Sequence, residues 1–147
     1  MDRKPVVTKL TRGPDAYYTV SWSRLRKSDK YDIVKSVPSE AGIYELYYMD
    51  DKGKLCLFHV GKSWYGGLRN EIRFRTDVEL EKDQAHRTIL EERECWYRWS
   101  LVSASDDMAD ILFFFADTYG MAGNVRHSGR YRNIFMNEVS ADKIVSI

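Results

Sequence analysis

The chain has 147 residues and a mass of 17.3 kDa, with 23 Lys and Arg against 22 Asp and Glu for a net charge of +1. That length suits one domain burying roughly two thirds of its unfolded surface, and the near balance of charge excludes a molecule built on strong nonspecific attraction to polyanions. No apolar run approaches the ~20 residues of a membrane-crossing helix, and no apolar region follows Met1-Asp2-Arg3-Lys4-Pro5, so a cytoplasmic protein without membrane contact is expected.

Residues 5 to 9 and 16 to 22 read as strands separated by the turn signal Gly13-Pro14-Asp15, an N-terminal hairpin or an added edge. Ser23 to Lys35 is highly charged, and a short helix is predicted from Tyr31 to Ser36, stopped by Pro38. Next come two apolar runs, Gly42 to Met49 and Leu55 to Gly61, around Asp50-Asp51-Lys52-Gly53, the pattern of a β-hairpin. With those residues as the loop, Met49 lies opposite Lys54 and Tyr44 opposite His59, on one sheet face with Cβ atoms roughly 5 Å apart.

Gly66-Gly67 opens a predicted helix to about Val78, with Leu68 and Ile72 on one stripe and Arg69, Arg73 and Thr76 on the next. Glu79 to Glu94 is a second helical candidate, carrying His86. Cys95 to Ser103 then alternates as a strand does, Trp96, Arg98 and Ser100 facing one way and Tyr97, Trp99 and Leu101 the other. A strong helix follows, with Ser105 as N-cap, Asp106 and Asp107 at its positive end and Gly120 as its stop. Its core stripe is Met108, Ile111, Leu112 and Phe115, and Asp110 falls on the opposite, partly apolar stripe. Met121 to Arg132 reads as a loop, followed by short strands at Asn133 to Val139 and Lys143 to Ile147.

Cys56 and Cys95 sit far apart in separate strand-like runs, which favours two buried thiols over a disulfide or a metal motif. Lys62, Arg69, Arg73 and Arg75 form one basic cluster, and Arg126, His127, Arg130 and Arg132 another; a solvated face is the ordinary meaning of each. Gly61-Lys62-Ser63 is not a P-loop, because Cys56 stands where that motif needs glycine. Cys56 and His59, three apart on a strand, point to opposite faces and do not share a zinc ion.

Gly42-Ile43-Tyr44 followed by His59-Val60-Gly61 resembles the paired signature of the GIY-YIG nucleases, with the first Tyr retained and the second replaced by His59. Ten residues beyond His59 stands Arg69, matching the arginine the family carries early in the helix that follows its second tripeptide. A gapped alignment anchored on Leu68 puts Glu71 there instead. His86 matches a histidine that some members carry ahead of the third strand. Asp110 stands at the place of the metal-binding glutamate on the next helix, and Asn124 at that of the asparagine after it.

The resemblance implies an α+β fold, a small central antiparallel sheet flanked by helices, with a core over residues 38–125, an N-terminal strand extension over 1–37 and a C-terminal extension over 126–147. It also implies a metal-dependent endonuclease acting on nucleic acid, DNA first. Asp110 would hold Mg²⁺ or Mn²⁺. Arg69 would fork onto the phosphate, with Lys62, Arg73 and the backbone N–H groups of Gly66-Gly67 beside it. Tyr44 or His59 would take the proton, His59 titrating at about 6 to 7.5, and Asn124 would orient the substrate. Arg69, Asp110 and Tyr44 are then expected to converge on one concave surface. Two other readings stay open: the same fold without catalysis, serving as a nucleic-acid or protein binding module, and an interaction protein using its four Trp and ten Tyr as contact surface. An inward Glu71 with an outward Arg69 favours the binding module.

Overall fold

The computed structural model describes residues 4–120 and 126–142. The predicted strand from Lys143 to Ile147, and Asn124, lie outside those residues. The fold is α+β, in the order β1 (Val7–Arg12), β2 (Asp15–Ser21), β3 (Arg26–Lys27), α1 (Lys30–Ser36), β4 (Gly42–Met49), β5 (Leu55–Ser63), α2 (Gly67–Thr76), α3 (Gln84–Glu92), β6 (Cys95–Leu101), α4 (Ser105–Tyr119) and β7 (Asn133–Val139). Strands β3-β6-β4-β5 form an antiparallel sheet, while β1-β2-β7 form a second sheet in which β7 runs parallel to β2. The N- and C-terminal extensions therefore meet in one sheet.

The β4–β5 hairpin forms, but not in the predicted register. Asp50 Oδ1 accepts the N–H groups of Lys52 and Lys54 at 2.9 and 2.8 Å, so Lys54 belongs to the loop and Met49 pairs with Leu55. A second slip at Leu46/Tyr47 leaves Phe58 as an extra residue on β5. One such shift would send every later side chain to the other face, and two restore the original parity. Tyr44 thus pairs with Gly61 and Leu46 with His59, yet Tyr44 and His59 still share a face.

That face carries Tyr44, Leu46 and Tyr97 and is covered by α1 and α2 through Ile33, Val37, Leu68 and Ile72. The opposite face carries Ile43 and Val60 and is covered by Met108, Ile111, Leu112 and Phe115 of α4 together with Ala16, Tyr18 and Val20 of the second sheet. Between the sheets Arg98 is buried against Glu45 at 2.7 Å, its guanidinium lying 4.6 Å from the Trp22 ring.

Helix ends follow local chemistry. Asp29 caps α1 by accepting Tyr31 N–H at 2.9 Å, and Gly120, at φ 68°, closes α4 in the left-handed conformation that glycine adopts freely. Ser105 is the first helical residue of α4 and not its cap; Ala104 holds that position without a side-chain bond, while Asp106 and Asp107 face the helix dipole as expected.

Candidate functional site

Tyr44 is fully buried, and its ring crosses the strand beside it: a Cβ on Gly61 would lie 2.5 Å from both Cζ and Oη of Tyr44. The phenol donates to Glu71 Oε2 at 2.6 Å. Having only one proton to give, it accepts from His59 Nε2, 3.1 Å away, which assigns that imidazole hydrogen to Nε2. Arg75 lies beside the same carboxylate, with Nε 3.5 Å from Glu71 Oε2, and reaches the buried Glu81 from Nη1 at 3.2 Å. His86 packs edge-on against His59, ring centroids 5.1 Å apart, and its Nδ1 stands 4.0 Å from Glu81 Oε2, buried and without a hydrogen-bond partner among the described residues.

Burial, then the neighbouring His86 and Arg75, push His59 down to about 4, although Glu81 and Asp83 pull the other way. The imidazole is neutral at physiological pH, which corrects the expected titration at about 6 to 7.5. Burial and the Glu71 carboxylate hold the Tyr44 phenol well above its ordinary range, so it is a donor and not a phenolate base. Burial pushes Glu81 upward, but the Asp83 N–H and the Arg75 guanidinium outweigh it and keep the carboxyl ionised below its usual range. The cluster accordingly holds one guanidinium against two carboxylates. Two unit charges ~5 Å apart interact by roughly 3 kcal/mol at an effective dielectric of ~20, so the carboxylate excess opposes a phosphodiester.

The structure thus brings Tyr44, His59 and His86 together and leaves the other described members of the predicted set elsewhere. Arg69 points away from Tyr44; its Nε donates to Val37 O at 2.8 Å, tying α2 to the end of α1. Glu71 points in, as the gapped alignment requires. Sequence reasoning passed over Arg75 as a site residue, although positions 68, 71, 72 and 75 repeat at helical spacing and put Glu71 and Arg75 on the sheet-facing side with Leu68 and Ile72. Lys62 pairs with Ile43 and so belongs to the α4 side of the sheet. At the start of α2 the N–H groups that follow Gly66-Gly67 are already taken, Leu68 N donating to Glu40 O at 2.9 Å and Arg69 N to Pro38 O at 3.2 Å. Gly67 serves this close approach, since a Cβ there would meet the Ser39 backbone at 2.7 Å, whereas Gly66 has open space around it and is set by its φ of 84°. Arg73 lines a separate cleft of about 620 Å³ with Lys30, Asn70 and Phe74, where Asp77 and Glu79 balance the cations.

Asp110 lies on α4, across the sheet from Tyr44, so the expected convergence does not occur. Its Oδ2 accepts Arg130 Nη2 at 2.6 Å, Arg130 Nε at 3.2 Å and Tyr18 Oη at 3.3 Å. Asp107 Oδ1 is likewise occupied by Lys9, Tyr18 and Arg130. The Arg130 guanidinium therefore occupies Asp110 Oδ2, while Asp110 Oδ1 is buried without a hydrogen-bond partner among the described residues, one free carboxylate oxygen where a hard divalent ion needs several. Among the described residues no three His, Cys, Asp or Glu side chains are grouped to hold a metal ion. These residues do not fit Mg²⁺ or Mn²⁺.

A different surface has the charge that the Tyr44 cluster lacks. Three adjoining clefts share walls: Pro5, Lys35, Ser36 and Trp99 belong to the first and second, and Lys4, Glu40 and Leu101 to the second and third. Together they make a furrow past the C-terminal end of α1, along the Lys4–Val7 segment and on to Trp64 ahead of α2. Among the described residues its cations are Lys4, Arg24, Arg26, Lys35 and Arg69, and its one lining carboxylate is Glu40. Arg26 pairs with Asp32 and Arg24 with Asp142, whereas Lys4, Lys35 and Arg69 have no carboxylate partner among the described residues. Trp64 and the half-buried Trp99 supply aromatic surface along it, while Trp22 is buried beneath the wall.

A family model described as "Uncharacterised protein" matches residues 6–147. No curated protein and no solved structure matches the chain.

Proposed function

The chain belongs to the family so matched, and we propose that it is a GIY-YIG-like module that binds nucleic acid without hydrolysing it. The observation that carries this reading is the furrow, where Lys4, Lys35 and Arg69 face a single carboxylate among the described lining residues, beside Trp64 and Trp99. Cations along a groove neutralise backbone phosphates and release counterions, and aromatic surfaces accept stacked bases whatever their identity. The Tyr44 cluster, by contrast, is closed on itself: its phenol, one imidazole nitrogen, its guanidinium and its carboxylates bond to one another. We read it as a polar core that fixes α2 and α3 against the sheet. Asp110 supports the same view, being neutralised by Arg130 on the other side of the sheet.

Fluorescence anisotropy with labelled single strands and duplexes, run with Mg²⁺, with Mn²⁺ and with chelator, and followed by gel analysis of the same samples, tests the reading. Binding that is indifferent to chelator and leaves the strands intact is the expected result. Cleavage that requires a divalent ion and is lost in Asp110→Ala would replace it with the nuclease.

A further inference from the structure

Outside both the furrow and the Tyr44 cluster, the second sheet turns a face to solvent that no described helix covers. Its registers align Leu10 with Tyr17 and Tyr17 with Phe135, giving one apolar row across β1, β2 and β7. All three are exposed, at 58%, 37% and 46%. The Tyr17 and Phe135 rings stack with centroids 4.9 Å apart and planes within 13°. Rings on adjacent strands in this arrangement stand like neighbouring leaves, stacked along the direction in which strands succeed one another. Because β7 is the outer strand of its sheet, the stack ends at Phe135, whose far side meets no further strand.

A buried stack needs no explanation, but an exposed one leaves an apolar ring face in water that a planar partner would cover. The surroundings select which planar partner. Asn137, two residues along β7 on the same face, is exposed and offers an amide that both donates and accepts. Arg132 directly precedes β7 and Arg12 closes β1 two residues beyond Leu10; both are exposed, and neither guanidinium has a partner among the described residues. The Asp15 carboxylate already accepts Asn133 Nδ2 at 2.9 Å. An unpaired nucleotide matches all three features: a base to continue the stack, base edges for an amide, and a phosphate for free arginines.

We propose that the outer face of the β1-β2-β7 sheet binds an unpaired nucleotide of a single strand, its base stacking on Phe135 with Tyr17 behind that ring. The site goes beyond the furrow and does not depend on it.

The test uses the full chain and its Phe135→Ala and Tyr17→Ala variants, with a labelled unstructured oligouridylate and a labelled duplex as probes. Circular dichroism and thermal unfolding establish that the variants fold, and amide chemical shifts report where the oligonucleotide sits. Phe135→Ala is expected to weaken single-strand binding by roughly tenfold or more, to leave duplex binding unchanged, and to abolish shifts along β7. Unaltered single-strand affinity in Phe135→Ala would overturn the proposal. So would sedimentation showing that the row holds two copies of the chain together and that Phe135→Ala separates them. A Lys35→Gln variant that binds more weakly yet still shows the β7 shifts at saturating oligonucleotide supports a site separate from the furrow, whereas shifts at saturation that spare β7 in the wild type would overturn the proposal.

Discussion

The buried imidazole makes the account testable through pH. His59 titrates at about 4 in the folded chain against 6.5 for the free group, chiefly because burial disfavours its charged form. The unfolded state therefore takes up a proton in a window where the folded state does not. Below about pH 6.5 the unfolded chain binds more protons, so stability falls with pH until the folded group also titrates near 4. The gap corresponds to roughly 3 kcal/mol across that window, a large share of the 5–15 kcal/mol typical of a domain. Carboxylates titrate at the lower end of the same range, so the comparison has to be made against His59→Gln, whose amide keeps an N–H for the Tyr44 oxygen and has no proton to gain. Urea unfolding of both proteins at steps from pH 7.5 to 4.5 should show the wild type losing about 2 to 3 kcal/mol more than the variant. Equal pH dependence, or an imidazole C–H resonance of His59 moving with a midpoint near 6.5, would refute the buried neutral assignment.

Gly61→Ala places a methyl group 2.5 Å from the fully buried Tyr44 ring, and a loss of about 1 to 3 kcal/mol is expected on chemical denaturation, as for other overpacked cores. Arg98→Met removes one partner of a pair whose side chains are 4% and 2% exposed; it should cost about 3 to 5 kcal/mol, and adding Glu45→Gln should recover most of that by removing the stranded charge. Tyr44→Phe takes away the donor to Glu71 and should destabilise by about 1 to 3 kcal/mol, while nucleic-acid affinity measured by anisotropy stays at the wild-type value.

Much of the architecture was legible because local signals agreed. The alternation of β4, β5 and β6 and the Gly120 stop each follow from nearest-neighbour chemistry and appear where expected, and a turn opens at Asp50 as predicted. The register did not. A loop one residue longer and an extra Phe58 are set by how Asp50 folds back on Lys54 and by the strand on the other side of β4, yet their sum kept Tyr44 and His59 on one face. On α2, counting along a motif selected Arg69, whereas helical spacing from Leu68 selects Glu71 and Arg75; burial obeys the spacing. The partner of Asp110 could not be read at all, because Arg130 stands 20 residues further along the chain and no local pattern joins the two. Nor could the furrow, which is assembled from segments as distant as Lys4 and Trp99 and leaves no local pattern.

The central claim is that the furrow, and not the Tyr44 cluster, receives nucleic acid. The most direct measurement is the salt dependence of single-strand binding for the wild type, for Lys4→Gln/Lys35→Gln and for Glu71→Gln. Each phosphate contact on a single strand contributes about 0.7 to the slope of log affinity against log salt, so the double variant should bind more weakly with a slope shallower by about 1.4, and Glu71→Gln should match the wild type. A double variant with wild-type slope and affinity, beside a Glu71→Gln protein whose binding changes sharply, would contradict the account.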